Sequence, residues 1–401
     1  MQLSSLALSK NSLFYLYLIV SYVFGVIFYD CLPFSFTDEL LALVLLLFAA
    51  QMAYERRSLL HLRPLLVVGG ILVFYVAYSL LIASNTPSAI LKDFVIQLKP
   101  FIGFFGAYIV APQLNGRQKH ILSVLCLAMG AFILIIGVSG LTYVFFGHPS
   151  RLATAAVATA LLLLYCSDFS WSDIAAFILL LSIGFLSTRS KFYGFWLVGV
   201  LLLVYLKSGL RMRFNFTTLA LGCLLLGGAV WMAYDKIVIY YVDGMMNSRE
   251  MWSRPAMMLA SARILGDYFP LGSGLASFGT FASAEQYSSI YAQYGLDKLW
   301  GLSKDNPVFV CDAFYPELAQ FGVVGVGLYI LFWFLFLRRT PALLRQGDLK
   351  GYYLAWCVFL FFLIEGIADA TFTHNRGFFV LTLAGMVLGQ VKPQTGERRP
   401  A

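Results

Sequence analysis

Along this chain the apolar residues come in long unbroken runs, and the polar residues between them gather in short clusters. The runs are continuous rather than alternating, which excludes the strands of a membrane barrel. Roughly 17–25 apolar residues are enough to carry a helix across the hydrocarbon core. A helix is also the form that satisfies its own backbone there. The pattern therefore predicts an all-α, polytopic transmembrane bundle of about twelve spans, at 13–29, 37–54, 65–82, 94–111, 121–146, 152–166, 174–187, 192–206, 214–233, 318–337, 352–368 and 378–391. The first run leads into Asp30 and Asp38 without a small-residue cleavage site and reads as a retained span. Only the stretch from Tyr234 to about Pro316 is long, polar and rich in Gly, Ser and Tyr. The chain thus divides into spans within 1–233, one large and partly helical loop at 234–316, and spans with a tail at 317–401.

Composition agrees with the pattern. Of the 401 residues, 60% are hydrophobic and 12% charged, about half the charge of an ordinary soluble domain. The six cysteines form no C-x-x-C pair, and most lie inside apolar runs, so they indicate neither a zinc site nor a disulfide framework. Cys31 and Cys311 are the pair that could meet on one side of the membrane. The net charge of +8 comes mostly from the flanks of the spans and calls for no nucleic-acid partner.

Charge asymmetry sets the orientation. Arg56, Arg57, Arg63, Arg117, Lys119, Lys207, Arg338, Arg339 and Lys350 fall on one side of the predicted spans, which the positive-inside rule makes cytoplasmic. Both termini are then cytoplasmic and the large loop faces outward. Against this assignment, Lys92, Arg151, Arg189, Lys191 and Arg376 lie in short outer connections, where cations are normally scarce. Arg249, Arg254 and Arg263 add to them from the start of the large loop. Side chains of this kind can simply snorkel to outer phosphates. Arginine, however, offers a rigid fork that binds phosphate bidentately and stays protonated. A set of outer arginines therefore points to an anionic ligand arriving from the bilayer, and a lipid pyrophosphate fits.

Four segments then stand in a recognisable order. They are Leu186-Ser187-Thr188-Arg189-Ser190 closing one span, Arg249-Glu250-Met251-Trp252 opening the large loop, Asp267-x-x-Pro270-Leu271-Gly272-x-Gly274 with Phe278, and Tyr315-x-x-Leu318-x-x-x-Gly322-Val323-Val324-Gly325 at re-entry. Together they resemble the O-antigen ligase and polymerase family of membrane glycosyltransferases over about 174–337. Ligase members carry a His-Asn pair about eleven residues before the re-entry glycine, where this chain has Cys311-Asp312, and that departure favours the polymerase branch.

The resemblance implies a GT-C-like fold in a bacterial inner membrane. It also implies a metal-independent, inverting transfer between oligosaccharide repeat units carried on undecaprenyl pyrophosphate, at the periplasmic face and without a cofactor. Membrane lipids and a chain-length regulator protein are the further partners it suggests. Arg189 and Arg249 would meet the departing pyrophosphate, helped by Arg254, Arg151 and Arg376. Asp312 would be the base on the acceptor hydroxyl, with His374 as second choice. Glu317, Asp267 and His148 are weaker candidates, better explained as a helix start, a helix end and an interfacial turn. Ligation of the glycan onto lipid A–core is the alternative reaction. A transporter or flippase would instead carry similar halves and charged helices near the bilayer midplane. Here Glu365 and Asp369 are the nearest to such charges, and no internal repeat appears.

Overall fold

A computed structural model describes residues 10–34, 36–57, 59–209 and 252–391, with four further positions at 227, 234, 238 and 239. The expected span at 214–233, position 227 apart, and the arginine at 249 lie outside the described residues. Among the described residues the secondary structure is helical, relieved by a single isolated bridge between Ser303 and Asn306.

The long helices are α1 (Lys10–Tyr22), α2 (Thr37–Glu55), α3 (Arg63–Leu81), α4 (Pro87–Phe101), α5 (Gly116–Val138), α6 (Pro149–Cys166), α7 (Trp171–Ser182) and α8 (Ser190–Ser208). After the large loop's α9 (Ser253–Asp267) come α10 (Gly322–Arg339), α11 (Leu349–Glu365) and α12 (Asn375–Gly389). Seven helical stretches among the described residues are long and apolar enough to cross a membrane: Thr37–Glu55, Leu60–Leu81, Pro87–Val110, Gly116–Val138, Pro149–Cys166, Ser190–Ser208 and Phe314–Arg345. Asn11–Ile27, Trp171–Ser187 and Asn375–Gly389 are apolar but shorter. The chain is a helical membrane protein.

Local chemistry explains where the helices depart from expectation. The run at 121–146 breaks after Val138, because Gly140 takes φ 75° and Thr142–Phe146 starts a separate turn. The run at 94–111 begins earlier, at Pro87, with the Thr86 hydroxyl accepting from the Ala89 amide as an N-cap. Pro100 lies inside it, and the helix widens directly afterwards into a π-turn at Ile102–Gly106 before resuming over Ala107–Val110. A proline removes an amide donor and crowds the preceding turn, so the π-turn relieves a local misfit.

Helices α6 and α12 form the centre of the bundle. Of the α6 window, 89% is buried, against 22% for Ser190–Ser208 and for Leu60–Leu81, whose outer faces present Leu and Val to lipid. Lipid tails are as apolar as leucine, so close packing rather than water exclusion draws such helices together, and small residues permit it. A Cβ at Gly385 would lie 2.2 Å from the Phe104 carbonyl, and one at Gly389 would lie 2.6 Å from the Tyr108 carbonyl. At Gly103 it would lie 2.9 Å from the Phe378 carbonyl. Glycines on both partners thus let α12 lie backbone against backbone on Ile102–Val110.

The large loop has a small core of its own, with Met257, Ile264, Phe278, Tyr291 and Leu302 buried together. It is tied down through Gly272–Ala276. Leu275 N–H donates to Ser79 Oγ at 2.7 Å, Ala276 N–H to Asp93 Oδ2 at 2.7 Å, and Gly274 N–H to the Gln320 carbonyl at 2.9 Å. The Tyr78 hydroxyl donates to the Gly272 carbonyl at 2.9 Å. Gly272 and Gly322, both at positive φ, sit face to face. A Cβ on the first would lie 2.2 Å from the nitrogen of the second. The proline-glycine segment and the re-entry glycine, distant in sequence, are therefore one packing unit.

Candidate functional site

Five short connections meet at the end of the bundle that carries the large loop. From the first comes Asp30, whose carboxylate accepts from Arg151 at 2.6 Å and from Arg376 at 2.6 Å. Arg376 is 3% exposed and opens α12, so this pair fixes the start of the central helix to the first connection. Arg151 stands in the first turn of α6 and is 45% exposed at its side chain.

Arg189 occupies the N-cap position of α8, after a 3-10 turn (Ile183–Ser187) and Thr188 at φ 52°. Its Nη2 lies 2.9 Å from His148 Nε2. The other ring nitrogen of His148 accepts from the Ser150 amide at 3.3 Å. Both imidazole nitrogens therefore face donors, while a neutral ring has one lone pair to offer. Burial, and then the Arg189 charge, push the His148 pKa down to about 4, so the ring is neutral at pH 7. The buried Arg189 Nε has no hydrogen-bond partner. Arg189 is thus held in place with donor capacity that the protein does not use up.

Lys191, two residues on, reaches back to Glu365 at 2.8 Å and Asp369 at 3.2 Å. It also donates to the Ala368 carbonyl at 3.1 Å. Asp369 further accepts from the Thr371 hydroxyl at 2.7 Å and lies 3.9 Å from His374 Nδ1. Although burial works the other way, Lys191, His374 and the Thr371 hydroxyl hold the Asp369 carboxyl below the usual range. His374 Nε2 in turn lies 4.0 Å from Cys311 Sγ. Burial lowers the His374 pKa, with Asp369 partly offsetting it, so this ring too is neutral at pH 7.

Asp312 is ion-paired to Arg254 in the first turn of α9. Burial raises its pKa, and the Arg254 hydrogen bond opposes the rise. Lys191 and Asp369 both act on it electrostatically, which places Asp312 in the same cluster as His374. Cys31 and Cys311 are both free thiols, so the pair that the sequence allowed is not bonded.

The structure therefore gathers Arg151, Arg189, Arg254, Arg376, Asp312 and His374 at one end of the molecule; Arg249 lies outside the described residues. Their pairing was not legible. Arg151 and Arg376 share Asp30, and Arg254 is held by Asp312, which leaves Arg189 as the described site arginine with no carboxylate partner. Among these groups five cations (Arg151, Arg189, Lys191, Arg254, Arg376) face four carboxylates (Asp30, Asp312, Glu365, Asp369), a balance of 5 − 4 = +1 with both histidines neutral. Sequence reading did not assign a role to Asp30 or Lys191. Lys191 carried a signal, as a cation in a short outer connection; Asp30 had none, since its partner Arg376 is 346 residues away.

Glu317 and Asp267 keep structural surroundings. Glu317 is 1% exposed and accepts from Gln97, while Asp267 ends α9 and accepts from the Tyr294 hydroxyl at 2.7 Å. No family model matches the chain, and no curated protein matches it.

Proposed function

We propose that this protein is a membrane glycosyltransferase that polymerises oligosaccharide repeat units carried on undecaprenyl pyrophosphate. In this reading about twelve spans form a GT-C-like bundle in a bacterial inner membrane, both termini are cytoplasmic, and the cluster faces the periplasm. The observation that carries the reading is Arg189: a half-buried guanidinium at a span boundary, beside a neutral histidine, with a buried Nε that has no hydrogen-bond partner among the described residues. That environment suits a phosphate arriving at the membrane surface.

The chemistry balances without a further reactant. The acceptor hydroxyl oxygen bonds to the donor's anomeric carbon as the bond from that carbon to the pyrophosphate oxygen breaks, on the opposite face, inverting the centre. The hydroxyl proton passes to Asp312, whose raised pKa favours taking it. Negative charge grows on the departing pyrophosphate, where Arg189 meets it more strongly in the transition state than before. Arg151 and Arg249 assist there, Arg254 positions Asp312, and Arg376 positions Asp30 and through it Arg151. A second assignment of the base, to His374, is favoured by its neutrality and by Asp369 behind its Nδ1.

The test is the glycan made by a deletion strain complemented with variants. Wild type restores long chains, and Arg189→Lys, which keeps the charge but loses the fork, leaves mostly single repeats, with activity down roughly tenfold or more. Near-normal chains with Arg189→Lys reject the pyrophosphate role. Loss of all attached glycan in the deletion strain, rather than of long chains only, makes the enzyme a ligase.

A further inference from the structure

Between the large-loop end of the bundle, at Phe314, Phe321 and Phe372, and the opposite end, at Arg63 and Arg339, α3, the Pro87–Val110 stretch and α10 enclose an apolar cavity of 430 Å³. It opens sideways, because Val67 and Leu335 on its rim are about half exposed. Towards the cluster it is closed by Phe314 and Phe372, which are buried with ring centroids 4.8 Å apart. At the other mouth stand two arginines, Arg63 at the start of α3 and Arg339 at the end of α10. Arg339 is braced against the wall, its guanidinium 4.9 Å from the Tyr108 ring centroid and donating to the Tyr108 hydroxyl. Among the described residues neither arginine forms an ion pair with a carboxylate.

We infer that this cavity binds an anionic phospholipid of the leaflet opposite the cluster, one acyl chain in the groove and the phosphate between Arg63 and Arg339. An apolar slot that opens to the bilayer takes a hydrocarbon chain. Two arginines at its mouth select a negative headgroup, and basic pockets between spans recognise anionic lipids in this way. The aromatic wall of Phe314 and Phe372 separates this occupant from the glycan site. The inference depends on the chain spanning a membrane and not on the proposed reaction.

Native mass spectrometry of the full-length protein in detergent, with phosphatidylglycerol or phosphatidylethanolamine added, tests it. Phosphatidylglycerol should be retained selectively. Arg63→Gln with Arg339→Gln should weaken that retention roughly tenfold or more. The pair Arg56→Gln and Arg57→Gln, exposed arginines between α2 and α3, should leave it unchanged. Leu328→Trp, which fills the groove wall, should remove the lipid with both arginines intact. The Arg63 and Arg339 side chains are exposed, so that double variant remains decisive even if Leu328→Trp does not fold. Equal retention of the two lipids, or retention indifferent to Arg63→Gln and Arg339→Gln, overturns the inference. So does displacement of phosphatidylglycerol by undecaprenyl phosphate, which would give the groove to the lipid carrier.

Discussion

His148 holds its neutral form between an amide and a guanidinium, and this sets how the site answers to pH. Its folded pKa, about 4, lies below the ordinary 6.5, so the unfolded chain binds the proton more readily. The stability this histidine contributes is whole above about pH 6.5 and drains away as pH falls towards 4. The melting temperature in detergent should therefore drop across that window, and drop less in His148→Gln; equal drops would mean other groups control it. The base gives a second test at this scale. Asp312→Asn is nearly isosteric but takes no proton at neutral pH, so polymerisation in purified membranes should fall about 100-fold or more while lipid-linked donor still binds. Asparagine also keeps many of the loop-ordering hydrogen bonds, so a purely structural Asp312 predicts a mild defect. A mild defect alongside an inactive His374→Ala moves the base to His374. That Arg151, Arg189, Arg254 and Arg376 gather at one end was readable from the chain, because it follows from the order of the spans. Which of them lacks a carboxylate partner was not, because Asp30 and Asp312 become partners only when distant connections converge.

The glycines of Gly272 and Gly322 join the large loop to the bundle, and their constraint is geometric. Gly322 has φ 64° and ψ −166°, and a Cβ there would lie 2.3 Å from the Pro270 carbonyl and from the Gly272 nitrogen. That region of backbone space belongs essentially to glycine and costs other residues about 1–3 kcal/mol before any clash. Gly322→Ala should therefore lose about 2 kcal/mol or more, and free the loop to proteolysis before the spans unfold. Loop cleavage at the wild-type rate would count against this joint. The turn itself was legible in the Pro-Leu-Gly sequence. Its partner was not, since nothing local to Gly272 marks a residue 50 positions away as its packing neighbour (322 − 272 = 50). In the same way the break at Gly140 escaped the hydropathy pattern, because Leu141, Tyr143 and Val144 carry the apolar run on through it.

Across the whole molecule, cations sort to two ends. Lys350 and Lys207 donate to backbone carbonyls at and beyond the end of α6, to Ser167 and Phe169, both at 2.6 Å, while Arg151, Arg189 and Arg254 lie at the other end. Orientation then has a direct test. In a Cys31→Ser background, which removes an exposed thiol, a cysteine at Ser289 should react with an impermeant maleimide added outside intact cells, and one at Gln346 should not. The reverse pattern would place the arginine cluster in the cytoplasm and end the periplasmic reading. The sequence alone marked the chain as a helical membrane protein, because crossing hydrocarbon is a property of one continuous segment: its length, its apolarity and its internally satisfied backbone. It also fixed the sorting of charge between the two ends, which needs only the order of the spans. The tertiary structure decided that α6 and α12 are central, that Arg189 has no carboxylate partner among the described residues while its neighbours are ion-paired, and that a groove opens beside Arg63 and Arg339. Those are facts about distance between segments, and hydropathy, which treats lipid and a neighbouring helix as the same solvent, carries no record of them.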